Sequence, residues 1–312
     1  MTKPIGTIAI TGSGGFLGTW VCRELNARGF GHLLRQGTSA KHDLRNAEAC
    51  REFVRGANLV IHLAARVGGI GYHVGRATQM FYENLTMGLN VLEAARDEGA
   101  EYVLIAGTAC SYSDEAEVPL KEDQLWKGIP TGETAPYGVA KRVLQYAGET
   151  MTRSGDLQVG FVVPTNLYGP EDHFDESASH VIPALMSRFE AVRRAGKREL
   201  EVWGDGAATR DFLYVEDAAR GIVDAVVARI VEPINLASGT EVSIRQLAEA
   251  IARTVFDEQP FDLRFATDKP VGATRRALDT QRARQLLGWV PTVSLQDGLQ
   301  RTLQWYRQAQ QS

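Results

Sequence analysis

The chain has 312 residues, with 34 lysines and arginines against 38 aspartates and glutamates, giving a formal net charge of −4. With 44% hydrophobic and 23% charged residues it resembles an average globular protein able to bury a large core, which excludes disorder, collagen and coiled coil as its main description. The slightly acidic total argues against a dedicated nucleic-acid or membrane-surface binder but leaves an anionic substrate open, since local arginine placement matters more than net charge.

The longest uncharged run, 4–22, holds five glycines and five Ser, Thr or Pro residues, so it reads as neither a signal nor an anchor. Within it, a strand at 7–11 runs into Gly12-Ser13-Gly14-Gly15-Phe16-Leu17-Gly18 and then a helix over 16–28. Glycines at 12, 15 and 18 allow a sharp strand-to-helix turn and let a pyrophosphate approach the backbone, while the helix start presents free N–H groups to it. A bare glycine pattern is also met in ordinary turns, but this context predicts a dinucleotide site. The second strand, 32–34, is followed by Arg35 and Gln36 with no acid for a ribose 2′-hydroxyl. Arg35 either faces a 2′-phosphate, favouring NADPH, or is a solvated surface residue. Asp43-Leu44 follow as candidates for the adenine.

Next come a helix at 47–55, a strand at 59–63, a helix at 78–98, a strand at 102–106, a helix at 137–153 and a strand at 159–163. Near-continuous apolar strands alternating with helices predict a doubly wound parallel sheet over residues 1–169. Residues 113–136 read as a lid or binding loop. Beyond Gly169-Pro170 the pattern predicts a smaller, mainly substrate-binding lobe over 170–312. It carries elements near 181–195, 201–203, 218–229, 233–236, 244–255, 263–265 and 295–308, and the chain is expected to return to the first domain near 205–216.

Tyr137 and Lys141 lie four apart on one helical face, so the ammonium favours the phenolate and the phenol can exchange a proton with a carbonyl oxygen. Thr108, at the end of the preceding strand, offers a hydroxyl to the same oxygen. Alone these marks are common; following the glycine loop, they are the set of the short-chain dehydrogenase/reductases. Cys22, Cys50 and Cys110 match neither a disulfide framework nor a zinc spacing, so a cytoplasmic protein with no metal is expected. His62, in mid-strand, reads as a core or cofactor-rim residue.

The chain resembles the GDP-L-fucose synthase family of extended short-chain dehydrogenase/reductases over almost its whole length. The runs His62-Leu-Ala-Ala-Arg-Val-Gly-Gly-Ile70, Pro164-Thr-Asn-Leu-Tyr-Gly-Pro170, Ser179-His-Val-Ile-Pro-Ala-Leu185, Val202-Trp203-Gly204, Arg210-Asp-Phe-Leu213, Lys269-Pro-Val-Gly272 and Thr274-Arg-Arg276 carry it. The resemblance implies NADPH-dependent epimerisation at C3 and C5 and reduction at C4 of GDP-4-keto-6-deoxy-D-mannose. It implies Thr108, Tyr137 and Lys141 as the reductase group, Cys110 as epimerisation base and His180 as its acid. Gly12, Gly15, Phe16, Leu17, Gly18, Arg35, Asp43, Leu44, Ala64, Tyr137, Lys141, Pro164 and Asn166 are the expected cofactor residues. Asn166, His180, Arg188, Trp203, Arg210, Lys269 and Arg276 are the expected substrate residues. A homodimer through the helices 78–98 and 137–153 is implied as well.

The residues agree chemically: a C4 ketone acidifies both neighbouring carbons, and inverting a carbon needs a base on one face and an acid on the other. Cys110 could instead be a buried structural thiol and His180 a helix-start residue. The sequence departs from the family with Thr108 and Ala109 for serines, Gly14 for an arginine, Arg276 for a lysine, and an unusual segment at 111–117. A related keto sugar, one surviving activity, or a non-catalytic dinucleotide sensor are the alternatives.

Overall fold

The computed structural model describes residues 5–175, 179–267 and 274–311. The first half runs β1 (Ile8–Thr11), α1 (Phe16–Ala27), β2 (Leu34–Gly37), α2 (Ala47–Val54), β3 (Leu59–His62), α3 (Ile70–His73), α4 (Ala77–Asp97), β4 (Tyr102–Ala106), α5 (Ala135–Ser154) and β5 (Gln158–Pro164). The second runs β6 (Asn166–Tyr168), α6 (Val181–Arg194), β7 (Glu199–Trp203), β8 (Thr209–Tyr214), α7 (Val215–Ala228), β9 (Ile234–Leu236), β10 (Glu241–Ser243), α8 (Ile244–Val255), β11 (Asp262–Ala266), β12 (Arg275–Arg276), α9 (Gln281–Leu287) and α10 (Leu295–Ala309).

Six strands form one parallel sheet in the order β2-β1-β3-β4-β5-β9. Its strands β1, β3, β4 and β5 are apolar on both faces because helices cover both. Ala9, Val60, Val103, Ile105, Val159 and Phe161 point into a core with residues of α2, α4 and α5. Their neighbours Ile8, Ile10, Leu59, Ile61, Leu104 and Val162 point into a second core with Val21 and Leu25 of α1 and Ala218 and Ile222 of α7. Successive side chains of a strand alternate faces, so a continuous apolar run is what a doubly covered sheet requires.

The edge strand β2 lies later than the expected 32–34, after a 3-10 turn at Gly31–Leu33. Its register, Leu34 on Ile8 through Gly37 on Thr11, carries the polar pair Arg35-Gln36 into the sheet. An edge strand has one open side and tolerates such residues. The chain rejoins the first half at β8, which pairs with β6 and sends Leu213 into the second core, and it reaches the main sheet through α7 and β9.

The remaining strands surround β8, which pairs with β10, β12 and β6, while β7 pairs with β11. Ile182, Met186 and Phe189 of α6, Leu247 and Ile251 of α8, and Leu299 and Leu303 of α10 share a third core. The stretch expected as a lid or binding loop is pinned at Leu120, whose carbonyl accepts from Asn235 at 2.9 Å, while Asp114, Thr131 and Glu133 line the cleft described below. Asn235 also donates to the Asp279 carbonyl at 3.1 Å, and Tyr112 donates to Asn235 Oδ1 at 2.7 Å. Among the described residues no helix is long and apolar enough to cross a membrane.

Candidate active site

The strand order reverses between β1 and β3, where the carboxyl ends of an open α/β sheet hold a ligand crevice. A cleft of about 1360 Å³ opens there. Gly12, Gly15, Phe16, Leu17, Gly18, Asp43, Leu44, Ala64, Thr108, Cys110, Tyr137, Lys141, Pro164, Asn166, His180, Arg210 and Arg276 all lie on its wall.

The glycine loop has the form of a phosphate cradle. A Cβ at Gly18 would stand 2.0 Å from the Gly12 carbonyl oxygen, so only glycine lets the loop fold back on α1. The helix starts at Gly15 with no side-chain cap, leaving its first-turn N–H groups to a ligand anion. These residues fit a dinucleotide pyrophosphate.

After β4, Thr108 Oγ1 accepts the Cys110 N–H at 3.2 Å and caps the short turn Ala109–Ser111. The Thr108 hydroxyl hydrogen remains for a substrate carbonyl. Helix α5 presses against this turn: a Cβ at Gly138 would stand 2.0 Å from the Cys110 carbonyl oxygen, and Ser111 Oγ donates to the Gly138 carbonyl at 3.1 Å. Tyr137 and Lys141 thus share one packed corner with Cys110, the Lys141 Nζ 6.0 Å from the centre of the phenol ring. Burial pushes the Tyr137 phenol above its usual value, with Cys110 adding to the shift. This opposes the pull toward phenolate expected from Lys141, itself brought down by burial to about 8. His73 of α3 packs on Tyr137, ring centres 5.9 Å apart.

His180 occupies the N-cap of α6, its side chain half-open to the cleft. The cleft walls, and then the His173 and His73 rings, hold it below the usual imidazole value. Asp172 Oδ1 stands 4.0 Å from His180 Nδ1. Asn166 Nδ2 donates to the Asp211 carbonyl at 2.9 Å, and Arg276 pairs with Asp114 at 3.4 Å. Arg210 donates to the Thr209 carbonyl at 2.7 Å.

Three expected residues are placed elsewhere. Arg35 donates to the carbonyls of Phe53 and Arg55, at 2.9 and 2.6 Å, closing the C-terminus of α2 instead of facing the cofactor; Thr38, Ser39 and His42 line the cleft after β2. Arg188 reaches the Glu201 carbonyl of β7 at 2.6 Å. Trp203 is 63% exposed, because the alternation that buries Leu200 and Val202 turns it outward. Lys269 lies outside the described residues. His62 is buried, Nδ1 2.9 Å from Thr11 Oγ1, and is brought down to about 3 by burial and by Lys141.

Residues 8–237 match the NAD dependent epimerase/dehydratase family. The chain belongs to this family. It is 35% identical over 319 aligned residues to GDP-L-fucose synthase 1 of Arabidopsis thaliana, covering 98% of this chain and 94% of that one. It is 30% identical to the GDP-L-colitose synthase of Yersinia pseudotuberculosis, covering 96% and 97%. A GDP-L-fucose synthetase from Naegleria fowleri, solved bound to NADP, superposes with a TM-score of 0.85 at 27% identity, covering 100% of this chain and 97% of that chain.

Within the family frame, sequence reasoning missed Asp172 and His73. The signal for Asp172 was an acid directly after the Gly169-Pro170-Glu171 turn and eight residues before His180. His73, four residues after Gly69, carried no signal beyond its type.

Proposed function

We propose that the chain is an NADPH-dependent epimerase and reductase that converts GDP-4-keto-6-deoxy-D-mannose to GDP-L-fucose. The observation that carries this is one cleft holding a phosphate cradle, a thiol, an imidazole and a Tyr-Lys pair together. Likeness over nearly the full length to a GDP-L-fucose synthase supports it.

The C4 ketone makes the hydrogens on C3 and C5 acidic. Cys110, as a thiolate, takes a proton from each carbon in turn, releasing the first to solvent before it takes the second, and His180 delivers one to each carbon from the opposite face. Tyr137, its phenol held protonated, then donates to the C4 oxygen, which Thr108 also hydrogen-bonds. NADPH bound along the glycine loop supplies the hydride for C4. Lys141, charged at neutral pH, stabilises negative charge growing on that oxygen.

The half-reactions separate by substitution. Cys110→Ala is expected to abolish deuterium uptake from D₂O into the keto sugar while the reductase group remains. Tyr137→Phe is expected to cut NADPH oxidation about 100-fold or more while exchange continues. Exchange at the parent rate in Cys110→Ala would remove Cys110 from the mechanism.

A second reading, a related GDP-4-keto-6-deoxyhexose, is favoured by Asp114, which faces the cleft and holds Arg276 with Thr131 hydrogen-bonded beside it. Turnover across a panel of keto sugar nucleotides decides between them. A homodimer through α4 and α5 is supported by Tyr82 and Tyr146, exposed at 63% and 55%, and is tested by sedimentation. A cytoplasmic location fits the three free cysteines and is tested by cell fractionation.

A further inference from the structure

The acid end of the cleft holds a carboxyl that the proposed reaction does not use. Asp172 lies on the cleft wall with its side chain 1% exposed. Its Oδ1 accepts the His173 N–H at 2.8 Å, and its Oδ2 is buried with no partner among the described residues. An unsatisfied buried carboxyl oxygen is costly and needs something to hold it. What holds it is a constrained turn: Glu171 has a left-handed φ of +71°, uncommon for a residue with a side chain. That turn is fastened to α1, with Trp20 Nε1 donating to the Pro170 carbonyl at 3.1 Å and Arg23 paired with Glu171. Strained backbone that delivers a group into a cleft is a mark of function.

His180 is what the carboxyl faces. The 4.0 Å from Oδ1 to Nδ1 is longer than a hydrogen bond, but the imidazole is half-exposed and free to close, and such contacts tighten when substrate binds. The other titratable groups around it are His173 and Asp175 of the same loop, His73 of α3, Cys110 and Tyr137.

We propose that Asp172 is a positioning and proton-return group for His180, an inference that rests on the epimerisation proposed above. The carboxyl holds the imidazole through Nδ1 so that Nε2 faces the sugar. When the Nε2–H bond breaks and a C–H bond forms, the Asp172 O–H bond breaks and an Nδ1–H bond forms. The imidazole stays neutral and Asp172 is left a carboxylate; solvent at the cleft then protonates Nε2 of the half-exposed ring while the Nδ1 proton returns to Asp172, which restores both groups. Two carbons are inverted in sequence, so His180 has to be an acid twice, and a coupled carboxyl recharges it between the two. Burial that brings Asp172 up to about 7 keeps the carboxyl partly protonated near neutral pH.

The test begins with a readout that needs no turnover. In protein carrying ¹⁵N-labelled histidine, Asp172→Asn is expected to lower the His180 titration by roughly one pH unit and shift its tautomer balance. Reciprocally, His180→Gln is expected to move the carboxyl titration of Asp172, which requires no change at Asp172 itself. In turnover, Asp172→Asn is expected to lower kcat about 10- to 100-fold with KM for NADPH unchanged, and to raise the share of product inverted at one carbon only. In the His180→Gln background the same change is expected to cost less than about twofold, since a group acting through His180 has nothing left to act on. Unaltered titrations in both single variants, or fully additive losses of kcat, overturn the proposal. A parent protein that leaves the GDP keto sugar untouched overturns the substrate assignment instead, and the titrations still decide Asp172.

Discussion

Tyr137 and Asp172 are both ionisable, both buried, and both displaced in the direction that keeps a proton on the side chain. For Tyr137 desolvation outweighs the neighbouring ammonium, which leaves a phenol fit to donate to an oxygen becoming an alkoxide. For Asp172 the displacement has a stability consequence. Its ordinary value is 3.8 and its folded value about 7, so between these the native protein holds a proton that the unfolded chain has released. That contribution is complete below the lower value and is lost as pH rises through the upper one. Asp172→Asn cannot lose it. Urea unfolding at pH 4 and pH 8 is therefore expected to show the variant gaining roughly 1–3 kcal/mol relative to the parent across that interval. An equal gap at both values would mean that the carboxyl is ionised when folded.

At the scale of elements, Arg35 shows where reading a sequence stops. Whether a strand residue points at a cofactor depends on its pairing register, and β2 joins β1 through residues too polar to announce a strand. The structure spends Arg35 on the last carbonyls of α2, so Arg35→Ala is expected to lower thermal stability while changing the NADPH-to-NADH ratio of kcat/KM less than about twofold. The strands β1, β3, β4 and β5 were readable because both their faces are covered, which leaves an unbroken apolar run. That Thr108, Cys110, Tyr137 and Lys141 line one cleft was readable because their spacing is local to one strand end and one helix. Arg188, Trp203 and Asp172 were not, because their surroundings come from distant parts of the chain. The contact between α5 and the Cys110 turn gives a sharper test. Gly138→Val places a side chain on a carbonyl and is expected to destabilise the fold by roughly 1–3 kcal/mol by urea unfolding. It is also expected to slow deuterium exchange and NADPH oxidation together.

For the whole molecule, two of the three cores reach the cleft wall, through Leu44 and Ala109 of one and Ala106 of the other, and the sixth strand of the main sheet arrives only after the chain has passed through β8 and α7. A ligand in that cleft binds the folded chain and not the unfolded one. NADPH at about 100 times its Kd is expected to add about 2.7 kcal/mol, which for a chain of this size is a rise in Tm of roughly 4 °C by calorimetry. The same concentration of NADH is expected to give less.

The close approach at Gly138 has one more consequence. It makes the thiol that would open the sugar to inversion and the phenol that would close the reaction parts of a single rigid floor. On the proposed chemistry the sugar is never handed from one station to another; it changes shape in place while the station stays still. The order of events is then written in the substrate's own conformations, and a partly converted sugar reaches solution only as often as it escapes its seat.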